Sequence, residues 1–154
     1  MCGIVGHVAC QASQRSRQVV LDGLSRLEYR GYDSAGIALA SPGKLNVIKA
    51  VGKLVNLRGA VAKGAPADAF AGIGHTRWAT HGRPTVANAH PHLSPDGRFA
   101  LVHNGIIENA DNLRAQLRAQ GAIFTSETDT EVVVHLLAHA YDQADPASYT
   151  REVP

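Results

Sequence analysis

Short apolar runs alternate along this chain with segments whose apolar residues recur at helical spacing, and this alternation is the feature that most limits its fold. A short apolar run bounded by turn residues predicts a buried strand, whereas the spacing of Val20, Leu24 and Leu27 predicts an amphipathic helix. Strands are predicted at 3–10, 35–40, 45–51, 71–76 and 99–103, and helices near 19–29, 53–63, 109–120 and 129–142. Strand pairs interleaved with helices predict an α+β fold with much antiparallel pairing.

Length and composition place the chain among globular domains and argue against two kinds of partner. Its 154 residues suit one domain, and 45% of them are hydrophobic and 18% charged, which is ordinary for a globular protein. The net charge is +2, and the Lys and Arg residues are scattered, so we expect neither nucleic-acid nor membrane binding. No apolar stretch approaches the roughly 20 residues that span a bilayer, and no signal-peptide pattern is present. We therefore expect a cytoplasmic location.

The two cysteines are expected to be free thiols. If 3–10 is a strand, Cys2 and Cys10 lie about 26 Å apart at about 3.3 Å per residue, whereas a disulfide needs Cα atoms within about 7 Å. Cys10 is then best interpreted as a small buried hydrophobic residue.

Cys2 directly follows the start methionine, so it is either a buried small side chain or a nucleophile. A free thiol has a pKa of about 8.5 and attacks carbonyl carbon only as the thiolate. Removal of Met1, which a small second residue favours, would place on the same residue an α-amine with a pKa of about 7.7 to 8.0 that can accept the thiol proton. Taken alone, the dipeptide favours the buried thiol, and the motifs below favour the nucleophile.

The stretch GIGHTRWATHG (72–82) sets an arginine and the only tryptophan of the chain on a loop after a strand. The guanidinium of Arg77 has the fork of donors that binds a carboxylate in bidentate fashion, although a solvated surface arginine is the alternative. Trp78 is either a core aromatic or, because it lies in a loop, the wall or lid of a pocket.

The stretch VHNGII (102–107) allows two interpretations. Asn-Gly between two apolar runs is the strongest short signal for a β-hairpin. The Asn104 amide and the backbone N–H of Gly105 could equally donate to a developing oxyanion. The sequence leaves these two about even, and they do not exclude each other.

The stretch SETDTEV (126–132) has the pattern of a helix start. Thr128 and Glu131 form a capping box by their spacing, and Asp129 in the first turn suits the helix dipole. A carboxylate there could also hold the ammonium group of an amino acid, but taken alone the pattern favours capping.

Eight histidines, five of them between 75 and 103, make a metal site a possibility to consider. His90 with His92, or His135 with His139, could ligate zinc. The chain has neither an HExxH motif nor a cysteine pair spaced as a zinc clip, and it has no phosphate-binding glycine loop. We therefore expect no metal, no nucleotide and no other cofactor.

Six motifs together resemble the glutamine amidotransferases of the N-terminal nucleophile class. They occur in order over nearly the whole chain: CGIVG from residue 2, RLEYRGYDSAG (26–36), HTRWATHG (75–82), NAHPH (88–92), VHNGIIEN (102–109) and SETDTEV (126–132). The resemblance implies a four-layer αββα sandwich, in which two antiparallel sheets lie between helical layers.

The resemblance also implies a role for each motif in the hydrolysis of the L-glutamine side-chain amide. Cys2 would form a thioester, with an oxyanion hole at Asn104 and Gly105, and Arg30 with Gly31 would position this end of the site. In the implied glutamine site, Arg77 would hold the α-carboxylate and Asp129 the α-amine. Trp78, Thr80 and His81 would line a loop that closes over the substrate, with His90 nearby.

The form HTRWATHG is most similar to the members that pass the ammonia to fructose 6-phosphate. This implies a glutaminase domain at 1–145 and, at 146–154, the start of a linker to sugar-phosphate isomerase domains of the same chain, in a full-length homodimer. Two alternatives remain: a related amidotransferase with another acceptor, and a His-rich metal-binding module.

Overall fold

The structure is a computed structural model that describes residues 1–79 and 82–144. Its elements are, in order, β1 (Gly3–Ser13), α1 (Arg15–Arg26), a short 3₁₀ helix (Glu28–Arg30), β2 (Ser34–Ser41), β3 (Lys44–Val51), α2 (Leu54–Gly64), β4 (Ala69–Arg77), β5 (His92–Leu93), β6 (Ala100–Leu101), α3 (Ala110–Ala119) and α4 (Thr130–Gln143).

The larger sheet is antiparallel, with the strand order β1-β4-β2-β3. Strand β4 is central because it pairs with β1 on one side, where Ile4 lies opposite His75, and with β2 on the other, where Ser34 lies opposite Arg77. Successive side chains of a strand point to opposite faces. The pairing of Gly3 with Thr76 therefore sets Cys2 and Arg77 on the same face of this sheet.

Helices α1 and α2 cover the opposite face of the larger sheet. Glycines 72 and 74 of β4 allow the close approach of α1, since a Cβ at Gly74 would lie 2.5 Å from the side chain of Val20. Full burial of a Val, Leu or Ile side chain contributes roughly 1.5–3 kcal/mol, so this layer is the main stabilising core. Its fully or almost fully buried members are Val20, Leu24, Ile37, Leu39, Leu54 and Leu57.

A second, two-stranded antiparallel sheet of β5 and β6 lies on the other side, with α4 packed against it. A smaller core joins α3 and α4 around Leu117 and Val132. The order of layers is thus helices, large sheet, small sheet, helices, which confirms the predicted α+β sandwich.

Three local expectations differ from the structure. Helix α1 begins at Arg15, earlier than the apolar spacing indicates, because buried Ser16 donates to the carbonyl oxygen of Ala69 at 3.0 Å. Cys10 is a free thiol, but it is exposed and not buried as predicted. It lies on the same uncovered face of edge strand β1 as the exposed Ile4 and Val8, where the regular pairing with β4 is interrupted after Val8. The strand expected at 99–103 is reduced to Ala100–Leu101.

The tight contact between the larger sheet and the segment that precedes β5 predicts that Gly36→Ala strongly destabilises the fold. A Cβ at Gly36 would lie 2.2 Å from the carbonyl oxygen of His90, and a backbone atom cannot rotate away as a side chain can. We expect a loss of about 1–3 kcal/mol or more in the free energy of unfolding, measured by urea denaturation.

The matched control is Gly59→Ala in helix α2, where a Cβ meets no atom within 4 Å. This change is expected to stabilise the protein by about 0.5–1 kcal/mol. Equal effects of the two substitutions would contradict the close approach of the His90 backbone to Gly36.

Within residues 1–79 and 82–144, no helix combines the length and the apolar character needed to cross a bilayer. The predicted linker at 146–154 lies outside the described residues, as do Thr80 and His81.

Candidate functional site

The thiol of Cys2 lies at the start of edge strand β1 and contacts the backbone that follows β4. The backbone N–H of Trp78 donates to Sγ of Cys2 at 3.2 Å, and the carbonyl oxygen of Trp78 lies 3.7 Å from the same sulfur. These contacts lie just beyond the last paired residues of the two strands, Gly3 and Thr76. The sheet register therefore places the thiol beside the motif that carries Arg77.

A narrow cavity of about 40 Å³ opens at the thiol. A cavity of this size holds only a few water molecules. Its lining joins residues from the end of β4 and the chain beside it, from the segment before β5, from the loop after β6 and from the start of α4: Cys2, Arg77, Trp78, His90, His103, Gly105, Thr128, Asp129 and Thr130. Five residues predicted from sequence thus surround the cavity with the thiol of Cys2: Gly105, Arg77, Trp78, His90 and Asp129.

Arg77 is the cation of the cavity and is only 4% exposed. Its guanidinium lies 3.8 Å from the carboxylate of Asp33 and donates to the carbonyl oxygens of Gly82 and Arg83 at 3.3 and 3.4 Å. Asp33 also accepts from the backbone N–H of Ala79. A buried guanidinium with such partners has a fixed direction, which suits recognition of a carboxylate.

Asp129 is the N-cap residue of α4 and the anion of the cavity. Its carboxylate accepts from the backbone N–H groups of Thr130 at 2.8 Å and Ile107 at 2.7 Å. The second bond ties the start of α4 to the loop that carries Asn104 and Gly105. Because backbone donors hold both oxygens, the position of the carboxylate is determined.

The predicted capping box of Thr128 and Glu131 is wrong. Thr128 bonds instead to Ser126 and His92, with its Oγ1 2.8 Å from Nε2 of the histidine. The carboxylate of Glu131 accepts from the backbone N–H and the hydroxyl of both Thr125 and Ser126. The capping pattern is therefore replaced by a tertiary bond from Thr128 to His92 and by bonds from Glu131 to the loop just before α4.

Glu131 is a buried carboxylate that stays ionised. Burial raises its pKa, but the hydrogen bonds from Ser126 and Thr125 outweigh this, so that the pKa is lowered overall. The sequence pointed to this residue only as part of a capping box, and its bonds to Thr125 and Ser126 were not predicted.

Three buried imidazoles lie side by side behind the cavity. The ring of His90 packs between those of His75 and His92, with centroid distances of 4.4 and 4.6 Å. Burial lowers the pKa of His75 to about 4, that of His90 to about 2 and that of His92 to about 3. All three are neutral at physiological pH, and within the described residues neither ring nitrogen of His90 has a hydrogen-bond partner.

Because these three imidazoles are buried and neutral, we predict that the free energy of unfolding decreases steeply in mild acid. Each has a lower pKa in the fold than the roughly 6.5 of an unfolded histidine. Below about pH 6.5 the unfolded chain takes up protons that the folded chain does not. The contribution to the free energy of unfolding is therefore complete above about pH 6.5 and decreases as the pH is lowered. The slope is about 1.4 kcal/mol per pH unit for each group that is fully titrated in the unfolded chain. Urea unfolding at a series of pH values between about 7.5 and 5 measures it.

The matched pair for this prediction is His92→Gln and His139→Gln. The first removes a buried imidazole, so the dependence on pH should weaken by about one proton. The second changes an exposed imidazole and should leave the slope unchanged. A free energy of unfolding that stays constant over this pH range would contradict the prediction.

The segment 102–107 forms a loop between β6 and α3, so the hairpin interpretation of Asn104–Gly105 is wrong. Oδ1 of Asn104 lies 2.7 Å from Nε2 of His75. Gly105 lies against the ring of His103, since a Cβ there would come within 2.7 Å of Nε2. A larger residue here would require the His103 side chain to shift, and Gly105 itself borders the cavity.

Arg30 and Gly31 lie near the start of the chain but not among the residues that line the cavity. The carbonyl oxygen of Arg30 accepts from the terminal amine of Met1 at 3.1 Å. Gly31 has a φ of +73°, and a Cβ there would lie 3.0 Å from the ring of Trp78. Both residues thus border the beginning of the chain and the indole beside it.

In the two described ranges, 1–79 and 82–144, no three His, Cys, Asp or Glu side chains are grouped as ligands of a metal ion. His90 and His92, considered above as a zinc pair, are buried with their rings edge to face.

A thiol at the start of an edge strand, in a sheet sandwich enclosed by helices, defines the class of N-terminal nucleophile amidotransferases. A profile described as "Glutamine amidotransferase domain" matches residues 38–144. The chain belongs to the glutamine amidotransferase domain family.

Relatives and solved structures agree with this family. A glutamine–fructose-6-phosphate aminotransferase (isomerizing) of Symbiobacterium thermophilum is 54% identical over the whole chain, which spans 25% of that protein. The structure titled as the allosteric regulatory enzyme of purine biosynthesis is 30% identical, with a TM-score of 0.73, and matches 90% of this chain and 29% of its own. A glutamine phosphoribosylpyrophosphate amidotransferase from B. subtilis, complexed with ADP and GMP, is 34% identical, with a TM-score of 0.66 and coverages of 89% and 28%.

Proposed function

We propose that this chain hydrolyses the side-chain amide of L-glutamine to glutamate and ammonia, with Cys2 as the nucleophile. The observation that carries the proposal is that one cavity is lined by the thiol of Cys2, the guanidinium of Arg77 and the carboxylate of Asp129. A nucleophile, a cation and an anion are the three groups that an amino-acid amide requires.

The charges of the cavity match the backbone end of a free amino acid. Arg77 binds the α-carboxylate through its fork of donors, and Asp129 binds the α-ammonium group. The side-chain amide then extends toward Cys2. Trp78, His90, Thr80 and His81 surround the bound glutamine, and Trp78, which is 53% exposed, moves to admit a substrate larger than the present cavity.

The reaction proceeds in two steps once Met1 has been removed. The amine of Cys2 accepts the thiol proton, and sulfur attacks the amide carbon, so that a C–S bond forms and the carbonyl oxygen becomes an oxyanion. The Asn104 amide and the Gly105 N–H donate to this oxyanion. The C–N bond breaks, ammonia leaves with the transferred proton, and water then hydrolyses the thioester to glutamate. Arg30 and Gly31 position the start of the chain.

The chain spans about a quarter of the length of the 54% identical relative. For the whole protein, we propose that the ammonia goes to fructose 6-phosphate to form glucosamine 6-phosphate. Residues 1–145 act as the glutaminase domain, and 146–154 begin a linker to sugar-phosphate isomerase domains of the same chain. The full-length protein is a cytoplasmic homodimer. The support is the name of the 54% identical relative and the motif HTRWATHG.

A second candidate is a glutaminase domain that serves another acceptor. The fold similarity to the B. subtilis phosphoribosylpyrophosphate amidotransferase favours it. Amination of fructose 6-phosphate by the full-length protein, set against amination of phosphoribosylpyrophosphate, distinguishes the two candidates.

The glutaminase proposal is tested by intact mass spectrometry after incubation with an electrophilic glutamine analogue. We expect a chain that lacks methionine and carries one adduct on Cys2, and excess L-glutamine should slow the labelling. Cys10 serves as the internal control, because it is free and exposed but far from the charged groups of the cavity. A processed chain that stays unlabelled, or that is labelled on Cys10 alone, would refute the proposal.

A further inference from the structure

The Asn104 amide can serve an oxyanion in only one of its two orientations. An amide group has an oxygen that accepts and a nitrogen that donates. If the oxygen faced the reacting carbonyl, it would repel the developing negative charge. Any group that holds Oδ1 of Asn104 away from the substrate therefore determines whether the oxyanion hole works.

His75 is the residue that holds this oxygen. Its Nε2 lies 2.7 Å from Oδ1 of Asn104, and because a carbonyl oxygen only accepts, the imidazole must donate from Nε2. The bond leaves the amide nitrogen of Asn104 free to point elsewhere. The neighbouring residue, Gly105, lines the cavity at Cys2.

The position of the imidazole is itself rigid. His75 is 0% exposed and lies on central strand β4, paired with Ile4 on one side and Gly36 on the other. Its ring packs on that of His90 at 4.4 Å. The side chain has no space in which to turn, so the direction of its N–H is fixed by the sheet.

We propose that His75 is a positioning residue, which fixes the Asn104 amide with its NH₂ group toward the oxyanion. It touches neither the substrate nor the thiol and acts only through Asn104. The inference rests on the proposed glutaminase activity and assigns a role to a histidine that the motif analysis left without one.

The test compares His75→Leu with His75→Gln in the full-length protein. Leucine removes the donor, whereas the side-chain nitrogen of glutamine extends about as far as Nε2 of histidine and keeps it. We expect His75→Leu to lower kcat for glutamine hydrolysis by about tenfold to hundredfold. This loss is smaller than the roughly 10²- to 10³-fold that follows removal of an oxyanion donor itself, because the amide is still present. KM should change by less than about twofold, since the hydrogen bond to the oxyanion forms only in the transition state. His75→Gln should recover most of the lost kcat.

A double-mutant cycle with Asn104→Ala separates positioning from a general structural role. Once the amide has been removed, His75→Leu should cost less than about twofold in kcat, because the two residues act as one unit. An equal cost in both backgrounds would overturn the proposal, as would an unchanged kcat in His75→Leu. If thermal melting shows that leucine prevents folding, His75→Gln in both backgrounds provides the same comparison. A kcat of His75→Gln far below that of the parent would count against the proposal. So would a loss of kcat that persists when Asn104 is alanine.

The outcome also distinguishes this inference from the function on which it rests. If Asn104→Ala itself leaves kcat unchanged, the proposed oxyanion hole is wrong. If Asn104→Ala lowers kcat and His75→Leu does not, the oxyanion hole stands and only the positioning role fails.

Discussion

Cys2→Ala is expected to abolish glutamine hydrolysis while the fold survives. Without the thiol no thioester can form, and loss of a nucleophile that acts as a unit with its base lowers kcat by about 10⁴- to 10⁶-fold. The fold should survive because Cys2 precedes β1 and, among the residues that the structure describes, its sulfur is hydrogen-bonded to the backbone of Trp78 alone. Release of glutamate and ammonia measures the activity, and thermal melting measures the fold.

Cys10→Ala is the matched control for this result. It removes the other thiol, which is exposed on β1, and should leave kcat within about twofold of the parent. A folded Cys2→Ala protein that still hydrolyses glutamine would contradict the proposed nucleophile. Loss of activity in Cys10→Ala would show that hydrolysis depends on more than the thiol beside Trp78.

Arg77→Lys is expected to raise the KM for L-glutamine by about tenfold to 150-fold, which corresponds to the roughly 1.5–3 kcal/mol of one hydrogen bond to a charged group. Lysine keeps a positive charge opposite Asp33, 3.8 Å from the guanidinium, so the fold should tolerate the change. It lacks the planar fork that binds both oxygens of a carboxylate. Steady-state kinetics of glutamate release measure the effect.

The control for Arg77 has two parts. Arg83→Lys changes an exposed arginine of the following loop, whose carbonyl oxygen still accepts from Arg77, and should leave KM within about twofold. Glutaminamide, which lacks the α-carboxylate, should be hydrolysed with the same kcat/KM by Arg77→Lys and by the parent. If the substitution impairs both substrates equally, Arg77 does not bind the carboxylate.

The course of the secondary structure could be predicted wherever apolar residues recur with a clear period. The strands at 35–40 and 45–51 correspond to β2 and β3, and the helices at 53–63 and 129–142 to α2 and α4. The start of α1 at Arg15 could not, because its first turn is polar and Ser16 is held by a carbonyl oxygen of β4 that is distant in the sequence.

The candidate site shows the same division. Recognition of the motifs predicted Cys2, Arg77 and Asp129, since each is a reactive or charged side chain in a distinctive stretch. The partners that orient the site were not predictable, because His75 and Thr128 bond to residues that are distant in the sequence. The capping box failed because Thr128 bonds to His92, which is distant in the sequence, while Glu131 bonds to Ser126 and Thr125, five and six residues before it.

By itself the sequence determined the α+β class, the family resemblance and the chemistry available, because apolar period and residue type are local properties. Only the tertiary structure decided which side chains meet. The β1–β4 register places the thiol beside Arg77, and the bond from Ile107 to Asp129 brings the loop of Asn104 to the start of α4. The choice between hairpin and loop at Asn104 was likewise decided by tertiary contacts, since the bond between its side-chain oxygen and the buried imidazole of His75 joins residues that only the packing of the two sheets brings together.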